Sequence, residues 1–118
     1  FQIEKMGQWV KGKSADTFGP IGPYLVTKDE IDDVQKLNLN LELNDQKMQE
    51  GNTSKMIFNI NFILSYLSNF MSLQEGDIVT TGTPPGVGMG KKPPLYLKSG
   101  DEIRLTIDHL GSQHQKVI

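Results

Sequence analysis

The most regular hydrophobic pattern in the chain is a strict alternation of leucine with polar residues over positions 37–43. Successive side chains of an extended strand point to opposite faces, so the four leucines share one face and the polar residues share the other. This pattern predicts a half-buried strand. Asn44-Asp45 follows as a turn candidate, and Gln46–Glu50 is predicted to return as the hairpin partner.

A second pattern has helical spacing. Apolar side chains recur at steps of four, three, four and three residues, at Met56, Ile60, Ile63, Leu67 and Phe70. This is the stripe of an amphipathic helix, and Asn52, Thr53 or Ser54 is suited to cap its start. The sequence therefore predicts one clear long helix over about Thr53–Phe70.

A short motif, Leu-x-x-Gly-Asp followed by an apolar residue, occurs twice, at Leu73–Val79 and Leu97–Ile103. It indicates a turn with glycine in the left-handed conformation, leading into a strand. The predicted strands are Asp77–Thr81 and Glu102–Asp108. Two copies are too few for a repeat architecture, and we interpret them as convergence on a favourable turn. The fold class predicted from these elements is α+β, mainly β.

Composition narrows the class of protein. The 118 residues suffice for one domain, the net charge is −2, and cysteine is absent. This excludes disulfides, thiolate metal sites and a cysteine nucleophile, and it fits a reducing compartment, so we expect a cytoplasmic location. The charge balance offers no electrostatic basis for binding nucleic acid or anionic lipid. No apolar run reaches the ~18 residues of a membrane span.

The densest group of glycines and prolines lies in the loop from Thr81 to Lys92. This loop lacks the spacing of a phosphate-binding P-loop and of the dinucleotide-binding glycine motif. What remains is a rigid loop with backbone N–H groups and the hydroxyls of Thr81 and Thr83. Such a loop can bind a carboxylate or an enolate oxygen. The alternative is an ordinary Gly/Pro turn.

The other candidate residues carry weaker signals. Lys13 stands between glycine and small residues and could neutralise an acidic substrate in a pocket, although most lysines are solvated. The acidic cluster at 29–33 lacks the calcium-binding EF-hand pattern and is expected to be exposed. We place His109 on a strand and His114 in the turn after it, as surface or packing residues. These residues form no convincing metal site and no Ser/His/Asp arrangement.

Three stretches together resemble the fumarylacetoacetate hydrolase family: Lys11–Pro23, Gly51–Phe58 and Gly76–Gly90. Within that family the chain is most similar to the branch of 2,4-diketo-3-deoxy-sugar-acid hydrolases and ureidoglycolate lyase-like proteins. The resemblance covers residues 1–118 and implies the C-terminal portion of one catalytic domain, without its N-terminal portion. The start at Phe1 agrees with a partial chain. The implied fold is a mixed β-sandwich or roll with a few helices.

The same resemblance implies which residues act. Lys13 matches the family's active-site lysine, Gln2 a glutamine near the metal, and Thr83 a threonine that contacts substrate, with Gly82 and Thr81 beside it. The family holds Mg²⁺ or Mn²⁺ with a Glu-x-Glu pair and an aspartate that would lie upstream. We therefore expect no metal ligand in this chain and, at most, weak binding of Mg²⁺ or Mn²⁺ by it alone.

The implied activity is a divalent-metal-dependent hydrolase that cleaves a C–C bond in 2,4-dioxo or related 2-oxo acids. Decarboxylase, isomerase or lyase activity of the same family is an alternative, and so is a non-catalytic scaffold that has lost its metal. The implied partners are a small oxo-acid substrate and a second copy of the chain in a homodimer, with no nucleic acid and no membrane.

Overall fold

The computed structural model describes Glu4 and residues 6–118, so the candidate Gln2 lies outside the described residues. One α-helix and four strands form the framework: β1 Asn38–Leu43, β2 Gln46–Asn52, α1 Ile60–Ser68, β3 Glu102–Ile107 and β4 Gly111–Lys116. Short 3-10 turns lie at Trp9–Gly12, Lys28–Glu30, Thr53–Lys55 and Gly88–Gly90. Among the described residues, no helix has the length and apolar character needed to cross a membrane.

The four strands form one antiparallel sheet in the order β2-β1-β3-β4. Leu39 and Leu41 of β1 lie opposite Ile107 and Leu105 of β3. Residues directly opposite each other in a pair of strands share a face, so the alternating leucines form one apolar face, called here the leucine face. The predicted strand is confirmed, and with it the α+β class.

The β1–β2 hairpin turns at Asn44 and Asp45, which have φ values of 51° and 62°. Two consecutive left-handed residues are typical of the type I′ turn, whose twist matches that of the strands. The partner strand contains a bulge: Leu41 pairs with Gln49 and Glu42 with Lys47, which leaves Met48 as an extra residue. The bulge places Gln49 on the leucine face.

The predicted long helix is wrong in its extent. The chain forms a 3-10 turn at Thr53–Lys55, and α1 begins only at Ile60. Two asparagines fix these starts: the Asn52 side chain accepts from the Ser54 N–H, and the Asn59 side chain accepts from the Phe62 N–H. The apolar stripe is continuous across both elements, and local capping divides it.

The two Leu-x-x-Gly-Asp copies form the same turn, because Gly76 and Gly100 both have φ 92° and each following aspartate accepts from the backbone N–H three residues earlier. Only the second copy leads into a strand. In the part of the chain that the structure describes, residues 78–81 make no strand pairing, so the predicted strand Asp77–Thr81 is wrong. A strand needs a neighbour as well as a suitable sequence.

The C-terminal end differs from the prediction too. His109, with φ 62°, lies in the turn, and His114 lies on strand β4. This is the reverse of the prediction, which put His109 on a strand and His114 in the turn. His114 is an exposed residue whose ring nitrogen lies 3.1 Å from a carboxylate oxygen of Glu102.

Much apolar surface is uncovered. Among the described residues only Leu37 and Leu43 are buried hydrophobic residues. The accessible surface is 9902 Å², against about 6,400 Å² for a compact monomer of this mass. On α1 and its approach, an aromatic ladder is exposed to solvent; its ring centroids lie 4.8, 6.3 and 5.0 Å apart, and its members are Phe58, Phe62, Tyr66 and Phe70.

Candidate substrate-binding site

A cavity of about 890 Å³ lies between the β2 edge of the sheet, α1 and the loop at 81–87. One wall is apolar and includes Leu39, Met56, Ile57, Phe58 and Ile63. The other wall is the Gly/Pro-rich loop, and it contributes Thr81, Gly82 and Thr83. A largely apolar cavity with a few fixed polar groups is typical of a site for a small molecule. The three loop residues chosen from the sequence therefore lie together in one cavity.

Two glycines allow the loop to lie flat on strand β2. A Cβ at Gly51 would lie 2.7 Å from the Cβ of Pro84, and a Cβ at Gly86 would lie 2.0 Å from the carbonyl oxygen of Met48. Gly86 also has φ 112°, which L residues with a side chain rarely adopt. Any larger residue at either position would lift the loop from the strand.

Thr83 is held by a side chain of the sheet. The amide nitrogen of Gln49 donates to the Thr83 hydroxyl oxygen at 2.8 Å and to the Pro84 carbonyl at 2.6 Å. Gly82, at φ 92°, turns the backbone just before Thr83. Among the described residues the N–H groups of Gly82 and Thr83 have no backbone acceptor. Backbone N–H groups in such a loop can bind a carboxylate or oxo group, and for this loop that role stays a prediction.

A positive charge at the cavity comes from a residue that sequence analysis did not choose. Lys55 lines the cavity, at the end of the 3-10 turn that follows β2. It belongs to the run Gly51–Phe58, which contributed to the family resemblance but supplied no candidate site residue. The only sequence signal for Lys55 was its position within that run. Glu50 also lines the cavity, and its carboxylate pairs with Lys47 at 3.1 Å.

The structure does not bring Lys13 to this cavity. Lys13 is exposed, and its backbone N–H donates to the Val10 carbonyl at the end of a 3-10 turn. The segment that follows reaches β4, where Gln113 donates to the Gly22 carbonyl. The cavity lies by β2, at the opposite edge of the sheet. The catalytic role of Lys13 stays a prediction, and so does that of Gln2.

A smaller hollow of about 490 Å³ lies on the polar face of the sheet. Charged and amide side chains surround it, among them Glu42, Lys47, Arg104 and His114. Arg104 is paired with Asp45, and both side chains are at least half exposed. Exposed pairs of this kind contribute little to stability, and the hollow has none of the apolar wall found in the first cavity.

The described residues contain no group of three His, Cys, Asp or Glu side chains placed to hold a metal ion. Among the described residues, Glu50 is the one carboxylate that lines the cavity, and it is paired with Lys47. The described residues therefore do not fit a metal site of their own, and we assign no chemical step in this chain to a metal.

The fold and the cavity define an α+β domain in which a Gly/Pro-rich loop closes a largely apolar cavity beside an antiparallel sheet. The chain belongs to the fumarylacetoacetate hydrolase family: the family model described as "Fumarylacetoacetate (FAA) hydrolase C-terminal" matches residues 1–118. This confirms the resemblance seen in the sequence.

Similar proteins carry different names within that family. The chain is 40% identical to fumarylacetoacetate hydrolase from Exiguobacterium antarcticum, with a TM-score of 0.87, over 91% of this chain and 38% of that one. It is 35% identical to 5-carboxymethyl-2-hydroxymuconate delta-isomerase from Mycobacterium smegmatis, with a TM-score of 0.85, over 99% and 43%. A maleylpyruvate hydrolase from Sphingobium sp. SYK-6, in complex with manganese(II) and pyruvate, is 39% identical, with a TM-score of 0.78, over 87% and 36%.

A curated relative from Burkholderia cenocepacia is 58% identical over 116 residues, which is 98% of this chain and 41% of the relative. The chain thus spans about two fifths of the length of the curated relatives it matches.

Proposed function

We propose that the full-length protein is a hydrolase that cleaves a C–C bond in a 2,4-dioxo or related 2-oxo acid, and that the cavity beside β2 binds the oxo-acid end of the substrate. The observation that carries this proposal is that Thr83 lines a largely apolar cavity together with Thr81 and Gly82 of the same loop, while its hydroxyl oxygen accepts from Gln49. Donors fixed in an apolar site stabilise an anionic oxygen more than the same donors would in water.

In the proposed reaction, water adds its OH to the acyl carbon, the bond between that carbon and the neighbouring methylene breaks, and the methylene receives a proton. The products are a carboxylic acid and a shorter 2-oxo acid. Negative charge passes through an enolate while the bond breaks. Thr83 would donate to an oxygen of that enolate, and Lys55 would raise the local positive potential.

We propose that the full-length protein uses Mg²⁺ or Mn²⁺, with carboxylate ligands from outside this chain. The support is the Sphingobium maleylpyruvate hydrolase, which is in complex with manganese(II) and pyruvate. A hard divalent cation with oxygen ligands stabilises an enolate when bound. The family resemblance implies that Lys13 and Gln2 also act in the full-length protein, although the structure places Lys13 away from the cavity beside β2.

An isomerase of related unsaturated or 2-oxo acids is the second candidate, because three similar solved structures are named as isomerases. The products separate the two candidates. Hydrolysis consumes water and yields two acids, whereas isomerisation moves a double bond and yields one product of unchanged mass. A scaffold without activity would do neither.

Further proposals concern the whole protein. The exposed aromatic ladder and the excess accessible surface support a homodimer or another apolar contact in the full-length protein, and we propose the homodimer. We propose that the sheet is part of the sandwich-like roll of the family. The absence of cysteine supports a cytoplasmic location, and the charge balance supports a protein that binds neither nucleic acid nor membrane.

The test uses the full-length protein with Mn²⁺ and a 2,4-dioxo acid, and it measures product masses and kcat/KM. Thr83→Val keeps the side-chain shape and removes the donor, and we expect a loss of about 1–3 kcal/mol in transition-state or substrate binding. Thr80→Val is the matched control, because Thr80 lies in the same segment but does not line the cavity. Equal kcat/KM for both variants would contradict the role of Thr83.

A further inference from the structure

Gln49 is a polar side chain on the apolar face of the sheet. It lies opposite Leu41 across the β1–β2 pair, on the leucine face, and it is half-buried. The next same-face position along β2 is Gly51, which lies opposite Leu39. A strand that only had to cover leucines would carry an apolar residue here, so the amide needs another explanation.

The contacts of Gln49 determine which way its amide points. Its nitrogen lies 2.6 Å from the carbonyl oxygen of Pro84, and a carbonyl oxygen can only accept a hydrogen bond. The amide nitrogen, rather than the amide oxygen, must therefore face the loop. The same nitrogen lies 2.8 Å from the Thr83 hydroxyl oxygen, so its two N–H groups serve one acceptor each.

This arrangement sets the direction of the Thr83 hydroxyl. The hydroxyl oxygen accepts from Gln49, and its own hydrogen is left to donate elsewhere. Thr83 lines the cavity, so a ligand there meets a hydroxyl that donates. We propose that Gln49 is a positioning residue that keeps the Thr83 hydroxyl as a donor toward an anionic oxygen in the cavity. The proposal rests on the function proposed above for Thr83.

The proposal also explains why glutamine suits this position. A glutamate of the same shape would be an acceptor at neutral pH, would take the Thr83 hydrogen for itself, and would face the Pro84 carbonyl without a donor. A leucine would leave both acceptors unbound. A protonated glutamic acid can donate again, so a glutamate here would regain part of the glutamine's function as the pH falls.

The experiment measures pyruvate binding to the full-length, Mn²⁺-loaded protein by calorimetry between pH 5 and pH 8, with steady-state kinetics beside it. The variants are Gln49→Glu, Gln49→Leu, Thr83→Val and the two double variants with Thr83→Val. Gln46→Glu is the matched control, since Gln46 is exposed on the same strand. All of these variants keep the charged groups near position 49. They are Lys47 and Glu50 on β2, and Lys91, whose ammonium reaches Met48.

We expect Gln49→Glu to weaken pyruvate binding roughly 10- to 100-fold at pH 8, the scale of a lost hydrogen bond to a charged group. The loss should shrink toward pH 5, because burial against a carbonyl favours the protonated acid. Each Gln49 variant should lose less in the Thr83→Val background than alone, because part of its effect passes through the Thr83 hydroxyl and the rest through the Pro84 carbonyl. Gln46→Glu should bind like the unaltered protein at each pH.

Independent losses from Gln49→Leu and Thr83→Val would overturn the proposal, and so would a Gln49→Glu loss that is the same at every pH. If Gln49→Leu does not fold, as judged by its urea midpoint, the pH series of Gln49→Glu decides. If Thr83→Val weakens binding and the Gln49 variants do not, only the positioning role fails. If the unaltered protein does not bind pyruvate, the proposed function fails and this inference fails with it.

Discussion

Pro84 lies directly against Gly51, so that a single added methyl group would come within 2.7 Å of the proline ring. Gly51 is in strand β2 and Pro84 is in the loop that forms one wall of the cavity. Both partners are stiff, because one is backbone in a sheet and the other is a ring. The contact therefore fixes the height of the loop above the strand.

We expect Gly51→Ala to lift the loop, to cost about 1–3 kcal/mol in the free energy of unfolding, and to raise KM. Urea unfolding of the full-length protein measures the first effect and steady-state kinetics the second. Gly90→Ala is the control within the same loop, because a Cβ there would meet nothing within 4 Å. A Gly51→Ala protein as stable as the Gly90→Ala protein would contradict the close contact.

Gly86→Ala should be more damaging than Gly51→Ala. A Cβ at Gly86 would lie 2.0 Å from the Met48 carbonyl oxygen, and the backbone there has φ 112°. The left-handed conformation alone costs a residue with a side chain about 1–2 kcal/mol, and the clash adds to that. The measurement is again the urea midpoint, with the order Gly90→Ala, Gly51→Ala, Gly86→Ala expected from most to least stable.

Lys13→Ala should leave the stability of the full-length protein nearly unchanged and lower kcat by roughly 10²-fold, the scale of one lost preorganised donor. The reason is the proposed role of its ammonium beside the anionic substrate. Lys11→Ala is the control, since Lys11 lies in the same segment and is also exposed. If both substitutions change kcat equally, the assignment of Lys13 is wrong.

Asp108 links the β3–β4 turn to the start of β1 and should make stability depend on pH. Its carboxylate accepts from the backbone N–H and the side-chain amide of Asn38, at 2.9 and 2.8 Å. Both hydrogen bonds hold the pKa of Asp108 below its ordinary value, and the bond from the backbone N–H has the larger effect. A carboxyl whose pKa is lower in the folded state stabilises the fold above its unfolded pKa of about 4, and this stabilisation is lost as the pH falls through the folded pKa.

The urea midpoint of Asp108→Ala should therefore lie below that of the unaltered protein by a constant amount from pH 7 to about pH 5, and the difference should narrow at more acidic pH. Asp16→Ala provides the comparison, because Asp16 has no hydrogen-bond partner among the described residues. A difference for Asp108→Ala that persists unchanged at pH 2 would show that the charge is not responsible.

Sequence patterns predicted the structural elements that depend only on residues close together in the chain. The β1–β2 hairpin could be predicted because the leucine alternation and the Asn-Asp turn act over few residues. The length of α1 could not, since two asparagine caps interrupt one continuous apolar stripe. Asp77–Thr81 has the composition of a strand, but strand pairing depends on a neighbour that its sequence does not specify.

The same distinction applies to the site. The loop from Thr81 to Thr83 could be chosen from its composition and its family resemblance. Gln49 could not, because its role depends on which face of β2 it occupies, and that is set by the bulge at Met48. Lys55 was missed since nothing in its immediate sequence distinguishes it from a surface lysine.

The bulge at Met48 adds one residue to β2, and this shifts the alternation of its side chains between the two faces by one position. After it, the side chains of β2 change faces relative to an unbroken ladder, so Gln49 and Gly51 lie under the loop and not on the polar face. Deleting Met48 would remove the extra residue and restore an unbroken ladder, in which Gln49 would still lie opposite Leu41 and Gly51 opposite Leu39. A one-residue deletion here would thus keep Gln49 and Gly51 under the loop and remove the Met48 carbonyl against which Gly86 lies, whereas a substitution of Met48 would keep that backbone contact.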